Sequence, residues 1–112
     1  MLQECVFCSI IEGSIPATII SETDNILVIE DHAPKAPIHY LIIPKKHLEN
    51  LAAFKNRDQE LAGEILIMAK ELGLQLDGSK AFRVVFNNGF EAGQRVFHAH
   101  AHFLAGAELS EF

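Results

Sequence analysis

Tryptophan is absent from this sequence, tyrosine occurs once, and cysteine only twice. Two cysteines are too few for a disulfide-stapled secreted scaffold. Four prolines and seven glycines exclude a collagen-like or low-complexity chain. No apolar run approaches the roughly 18 residues of a membrane span. Met1-Leu2-Gln3-Glu4 has no cationic lead, so no secretory signal is expected there. Basic residues are scarce too, 9 against 15 acidic, for a net charge of −6. That balance argues against a general nucleic-acid surface, which needs cations for phosphate backbones. A small phosphate ligand in a local pocket stays allowed. Two thiols without a stapling role point to a reducing, cytoplasmic compartment. What the chain does have is 49% apolar and 21% charged residues over 112 positions, a globular composition. Residues 1–112 make one domain, able to bury about two thirds of its extended surface without staples.

Between the turn signals Gly13-Ser14-Ile15-Pro16, Thr23-Asp24-Asn25 and Ala33-Pro34-Lys35-Ala36-Pro37 lie short β-branched runs. Strands are expected at Thr18–Ser21, Ile26–Glu30, His39–Ile43, Phe82–Phe86 and Phe97–Leu104. From about Asp58 to Leu76, apolar residues recur at Leu61, Ile65, Met68, Leu72 and Leu76, one face of a helix. Gly63 and Gly73 weaken it by roughly 1 kcal/mol each relative to Ala. Ile67 and Leu74 fall well off the stripe. They are either singly exposed or a second face buried against another subunit. A short helix is expected around Phe7–Glu12, and a helical turn around His47–Ala53. The first three strands leave no room for helical crossovers. The expected class is α+β: an antiparallel sheet with one long and one short N-terminal helix.

Three of the six histidines fall within five residues, as His98, His100 and His102. On a strand, these would project from one face while Ala99, Ala101 and Phe103 turn to the other, the alanines giving a helix room to pack. Rows of imidazoles fill cores poorly, since each needs a partner when buried. Two chemistries use them: a metal centre with an open position, or nucleophilic attack by a neutral imidazole held in one tautomer. Periodicity does not choose between these. Cys5-Val6-Phe7-Cys8 is a second cluster. No strand fits before it, which argues against a thioredoxin-like motif. Two buried thiols or a structural zinc site with two further ligands from elsewhere in the chain remain.

The run His98-Ala-His100-Ala-His102-Phe-Leu, with Gly93-Gln94 before it and Gly106 after it, resembles the signature of the histidine triad (HIT) superfamily. The block Asp31-His32-Ala33-Pro34-Lys35-Ala36-Pro37-Ile38-His39, continuing to His47, is similar to the same family's central segment. The likeness covers nearly the whole chain and is nearest to the Hint branch, the nucleoside phosphoramidases. It implies the HIT fold: a five-stranded antiparallel sheet continued across a homodimer. It also implies hydrolysis at the α-phosphorus of AMP–amine conjugates, with His100 as nucleophile and a nucleotidyl-histidine intermediate. His102 would hold the phosphate and help the leaving group. His98 and His39 would support the nucleophile's ring. Asp31 would hold the ribose, His32 and Ile29 the base, and Asn87, Gly93 and Gln94 the phosphate. Arg95 departs from the pattern, standing where Hint enzymes often carry Ser, which puts leaving-group preference in question. The absent Trp means that tail-dependent substrate selection is not implied. A subset of the family, mostly bacterial, binds structural zinc through the equivalents of Cys5, Cys8, His47 and His98. The resemblance implies no organic cofactor. The alternatives are a dinucleoside polyphosphate hydrolase of the Fhit type and a nucleotide-binding scaffold with incidental catalysis.

Overall fold

The computed structural model describes residues 5–111; the reading of Met1–Glu4 as lacking a signal lies outside them. Five strands form one antiparallel sheet: β1 (Ile19–Glu22), β2 (Ile26–Glu30), β3 (Ile38–Pro44), β4 (Phe82–Val85) and β5 (Ala101–Ala105), in the order β1-β2-β3-β5-β4. Two helices cover its faces, α1 (Val6–Ile11) and α2 (Gln59–Leu74). Single 3-10 turns lie at Leu51–Ala53, Asn56–Asp58 and Phe90–Ala92. Among the described residues no helix is long and apolar enough to cross a membrane.

α2 lays its stripe on one face. Ile65, Met68, Ala69, Leu72 and Leu76 pack with Ile26, Val28, Ile42, Ala101, Phe103 and Ala105, and Leu61 packs at the edge of this cluster. The alanines of β5 turn toward the helix, as strand alternation requires. Gly73 gains a reason the sequence did not show: a Cβ there would meet the Phe82 ring at 2.4 Å. The helix stops at Leu74, before Asp77-Gly78, and buried Leu76 follows it in the chain. Ile67 and Leu74 are 55% and 63% exposed, so neither is covered within one chain. On the opposite face, Phe7 of α1 packs with Leu27, Ile29, Leu41 and Ile43. Covered on both sides, β2 and β3 read as nearly continuous apolar runs.

One strand differs from the sequence reading. β5 begins at Ala101, not Phe97, so His98 and His100 precede the ladder. The backbone there is held by other partners: the Ala99 amide donates to the Leu48 carbonyl at 2.7 Å, and the His98 ring donates to the Pro44 carbonyl at 2.7 Å. The three triad side chains therefore do not share one strand face. The helical turn expected at His47–Ala53 reduces to the 3-10 turn at Leu51–Ala53.

Candidate active site and metal centre

A cavity of about 790 Å³ opens on the α1 side of the sheet. Its walls follow the sheet order. Thr18, Ile29 and Asp31 stand at the β1–β2 end with Val6, Phe7 and Ile10 of α1 above; His39 and Leu41 come from β3 and His102 and Leu104 from β5; Val85, Asn87, Gly93 and Arg95 close the β4 end. His100 and exposed His32 also line it.

Backbone groups fix the proton positions, because an amide N–H only donates and a carbonyl only accepts. The Lys35 amide donates to His39 Nδ1 at 2.9 Å, so His39 carries its proton on Nε2. That Nε2 lies 2.9 Å from His102 Nδ1 and 3.3 Å from an Asp31 carboxylate oxygen. The shorter contact makes His102 Nδ1 an acceptor and leaves its proton on Nε2. His100 Nδ1 donates to the His98 carbonyl at 2.8 Å, which leaves the Nε2 lone pair of His100 available. The pair at the centre thus offers one lone pair, on His100, and one N–H, on His102, with ring centroids 5.1 Å apart.

These imidazoles are kept neutral. Burial pushes His102 down to about 4, and the neighbouring His100 and His39 add to the shift. Burial likewise holds His100 and His39 below the ordinary histidine range. A neutral imidazole is the nucleophilic form.

The first triad histidine serves a different cluster. His98 is wholly buried, and its Nε2 donates to Pro44, so its Nδ1 lone pair points elsewhere. It faces Cys5 Sγ at 3.3 Å, Cys8 Sγ at 3.6 Å and His47 Nδ1 at 3.1 Å. Cys8 Sγ lies 3.3 Å from His47 Nδ1. All four ligand atoms fall within 4.8 Å of one another. Zn–N bonds of about 2.05 Å and Zn–S bonds of about 2.3 Å in a tetrahedron put N···N near ~3.3 Å and S···N near ~3.6 Å. The residues fit zinc. Without a cation, burial and then the neighbouring Cys5 thiol push Cys8 up to about 11, a cost that a bound metal would reverse. Cys5 also caps α1, accepting from the Cys8 amide. The segment carrying His47 is tied down by Lys46, whose ammonium donates to buried Asp58 at 2.6 Å.

The HIT domain family matches residues 12–109. The chain belongs to the HIT family. An HIT-like protein of Synechocystis sp. is 44% identical over 110 residues, spanning 98% of this chain and 96% of that protein. The HIT family hydrolase of Legionella pneumophila superposes with a TM-score of 0.91 at 42% identity, over 96% of both chains. That of Clostridium thermocellum gives 0.93 at 36% identity, over 100% of this chain and 98% of its own.

Within the HIT fold, the residues singled out from sequence take distinct positions. Asp31, His32, Ile29, Asn87, Gly93, Arg95, His39, His100 and His102 all border the cavity. Gly93 adopts a left-handed φ of +105°, which favours glycine. Gln94 does not border it: its oxygen accepts from the Gly89 amide and its nitrogen donates to the Glu49 and Val96 carbonyls. In this arrangement it braces the loop from beneath, because a wholly buried amide must satisfy itself locally. His39 bonds to His102 rather than to His100. His98 supports His100 through its carbonyl, not its ring. Phe7 was missed: its ring meets the His100 ring edge-on at a centroid distance of 5.0 Å and that of His98 at 5.8 Å. Its place inside the CxxC was the one available signal, since whatever anchors both cysteines anchors Phe7.

Proposed function

We propose that this HIT protein is a hydrolase of nucleoside 5′-phosphoramidates of the AMP–amine type, nearest to the Hint branch. One observation carries the reading: His100 Nδ1–H donates to the His98 carbonyl, which keeps the proton on Nδ1 and leaves Nε2 a free lone pair in the cavity. That nitrogen attacks the α-phosphorus, and a nucleotidyl-histidine forms. The P–N bond breaks, and its electron pair leaves with the amine together with a proton passed through His102 Nε2. Water then attacks phosphorus, the bond to His100 Nε2 breaks with its electron pair returning to the imidazole, one water proton restores His102 Nε2–H, and AMP is released. The apolar β1–β2 end, with Ile29 and the α1 side chains, takes the base, and Asp31 takes the ribose hydroxyls. His32 borders that end, Asn87 and Gly93 border the phosphate, and Gln94 holds their loop. The decisive experiment is release of AMP from an AMP–amine conjugate by wild type and by His100→Asn. Wild-type turnover in the variant would refute His100 as nucleophile.

Zinc at Cys5, Cys8, His47 and His98 is structural in this reading, tying α1 to the sheet. The purified, untagged protein should contain close to one zinc per chain. A homodimer is supported by the outer edge of β4, last in the sheet, by exposed Phe82 on that strand and by exposed Leu66 and Leu74 on α2; pairing of two such edges would continue the sheet. Free thiols at Cys5 and Cys8 suit a cytoplasmic setting.

A further inference from the structure

We propose that Arg95 is a specificity-determining residue that selects an anionic leaving group. The inference rests on the hydrolase reading and extends it to the far side of the phosphorus. A base at the β1–β2 end and a phosphate at His100 and His102 leave one direction for the departing group, across β5 toward β4. There the cavity wall is Val85, Asn87, Gly93 and Arg95.

Three features make Arg95 more than a surface cation. Its guanidinium is fixed: Nη1 donates to the Phe90 carbonyl at 2.8 Å and the Gln94 carbonyl at 3.0 Å. The guanidinium carbon sits 3.8 Å over the Phe90 ring. Among the described residues, no carboxylate forms an ion pair with it. A guanidinium has five N–H donors; two belong to Nη1, so three remain for a ligand. The cavity's own carboxylates, Glu30 and Asp31, lie at the opposite end of the sheet order. A preorganised, unneutralised guanidinium favours carboxylate or phosphate oxygens in paired hydrogen bonds. A cationic amine placed there meets like charge.

The shared chemistry is an anionic group one bond or a few beyond the α-phosphorus. It has two sources: an amine that carries carboxylates, or a further phosphate. The test separates them. AMP conjugates of aspartate, of a neutral amino alcohol and of a diamine are compared by kcat/KM in wild type and Arg95→Ala. In parallel, AMP and ADP binding to both proteins is measured by calorimetry. The expected order in wild type is aspartate, then neutral, then diamine. Arg95→Ala should cut the aspartate-to-diamine ratio about tenfold or more, and abolish any tighter binding of ADP over AMP. A large effect on the aspartate ratio with none on ADP identifies the carboxylate amine; the reverse identifies the phosphate. Ratios unchanged by the substitution in both assays, or a diamine preference in wild type, would overturn the role of Arg95. If no conjugate turns over, the phosphoramidase reading fails, while the ADP-to-AMP ratio still decides Arg95.

Discussion

Two histidine clusters sit side by side, and a single residue separates His98 from His100, yet they are built on opposite plans. Around His98 a single lone pair meets three other ligand atoms at 3.1 to 3.6 Å, a hub suited to a cation. Around His100 and His102 donors and acceptors alternate: the Lys35 amide, His39, then His102 on one branch, and His100 with the His98 carbonyl on the other. The hub gathers electron pairs for a metal, while the chain distributes protons so that one nitrogen is left bare. The difference does not come from the histidines, whose chemistry is the same. It comes from which backbone group each ring meets, since obligate donors and acceptors set the tautomer.

The largest expected effect breaks the chain at its end. His100→Asn should lower turnover of an AMP–amine conjugate by about 10³-fold or more, with nucleotide binding and melting temperature close to wild type. Next, the hub: Cys8→Ser should hold far less zinc than wild type when both are assayed for metal, and should melt roughly 10 °C or more lower. Activity of the folded, metal-stripped wild type should survive to within about tenfold; total loss with an intact fold would place the metal in the reaction. A smaller effect follows from removing the proton that orients His102. His39→Ala should reduce kcat about 10- to 100-fold by analogy with other orienting partners, with KM for the nucleotide moving less.

The pH response sharpens the same contrast. His102 stays neutral in the folded protein down to about 4, whereas the unfolded chain takes up a proton near 6.5. Above that pH neither state binds the proton, and the group contributes no pH dependence. As pH falls from about 6.5 toward about 4, the unfolded state binds more protons and stability falls. Melting temperature followed over this range should drop less steeply in His102→Asn. The smallest effect on the single chain is expected from Leu66→Ser on the exposed flank of α2. It should cost each chain only a few tenths of a kcal/mol while shifting the mass seen by sedimentation toward the monomer. An unchanged mass would remove this flank from the proposed interface.

Much of the architecture was legible. Leu61, Ile65, Met68, Leu72 and Leu76 mark their own helix face, and the short β-branched runs mark the strands, because local periodicity is set by local geometry. Ala101 and Phe103 were correctly turned toward the helix for the same reason. The break before Ala101 was not legible. It depends on bonds from Ala99 to Leu48 and from His98 to Pro44, partners about fifty residues distant. Gln94 shows the same limit: its residue type suits a phosphate donor, and only the fold reveals three backbone groups already holding it.

The sequence by itself determined the order of the elements and the chemistry available, since residue types and spacings carry these directly, and its likeness to the HIT family pointed to the four metal-type ligands. The tertiary structure decided that the four metal-type ligand atoms converge, which nitrogen of His100 is left bare, and that Arg95 borders the far wall of the cavity. Those depend on single hydrogen bonds between distant segments, and a one-dimensional pattern does not record which carbonyl or amide a side chain will meet.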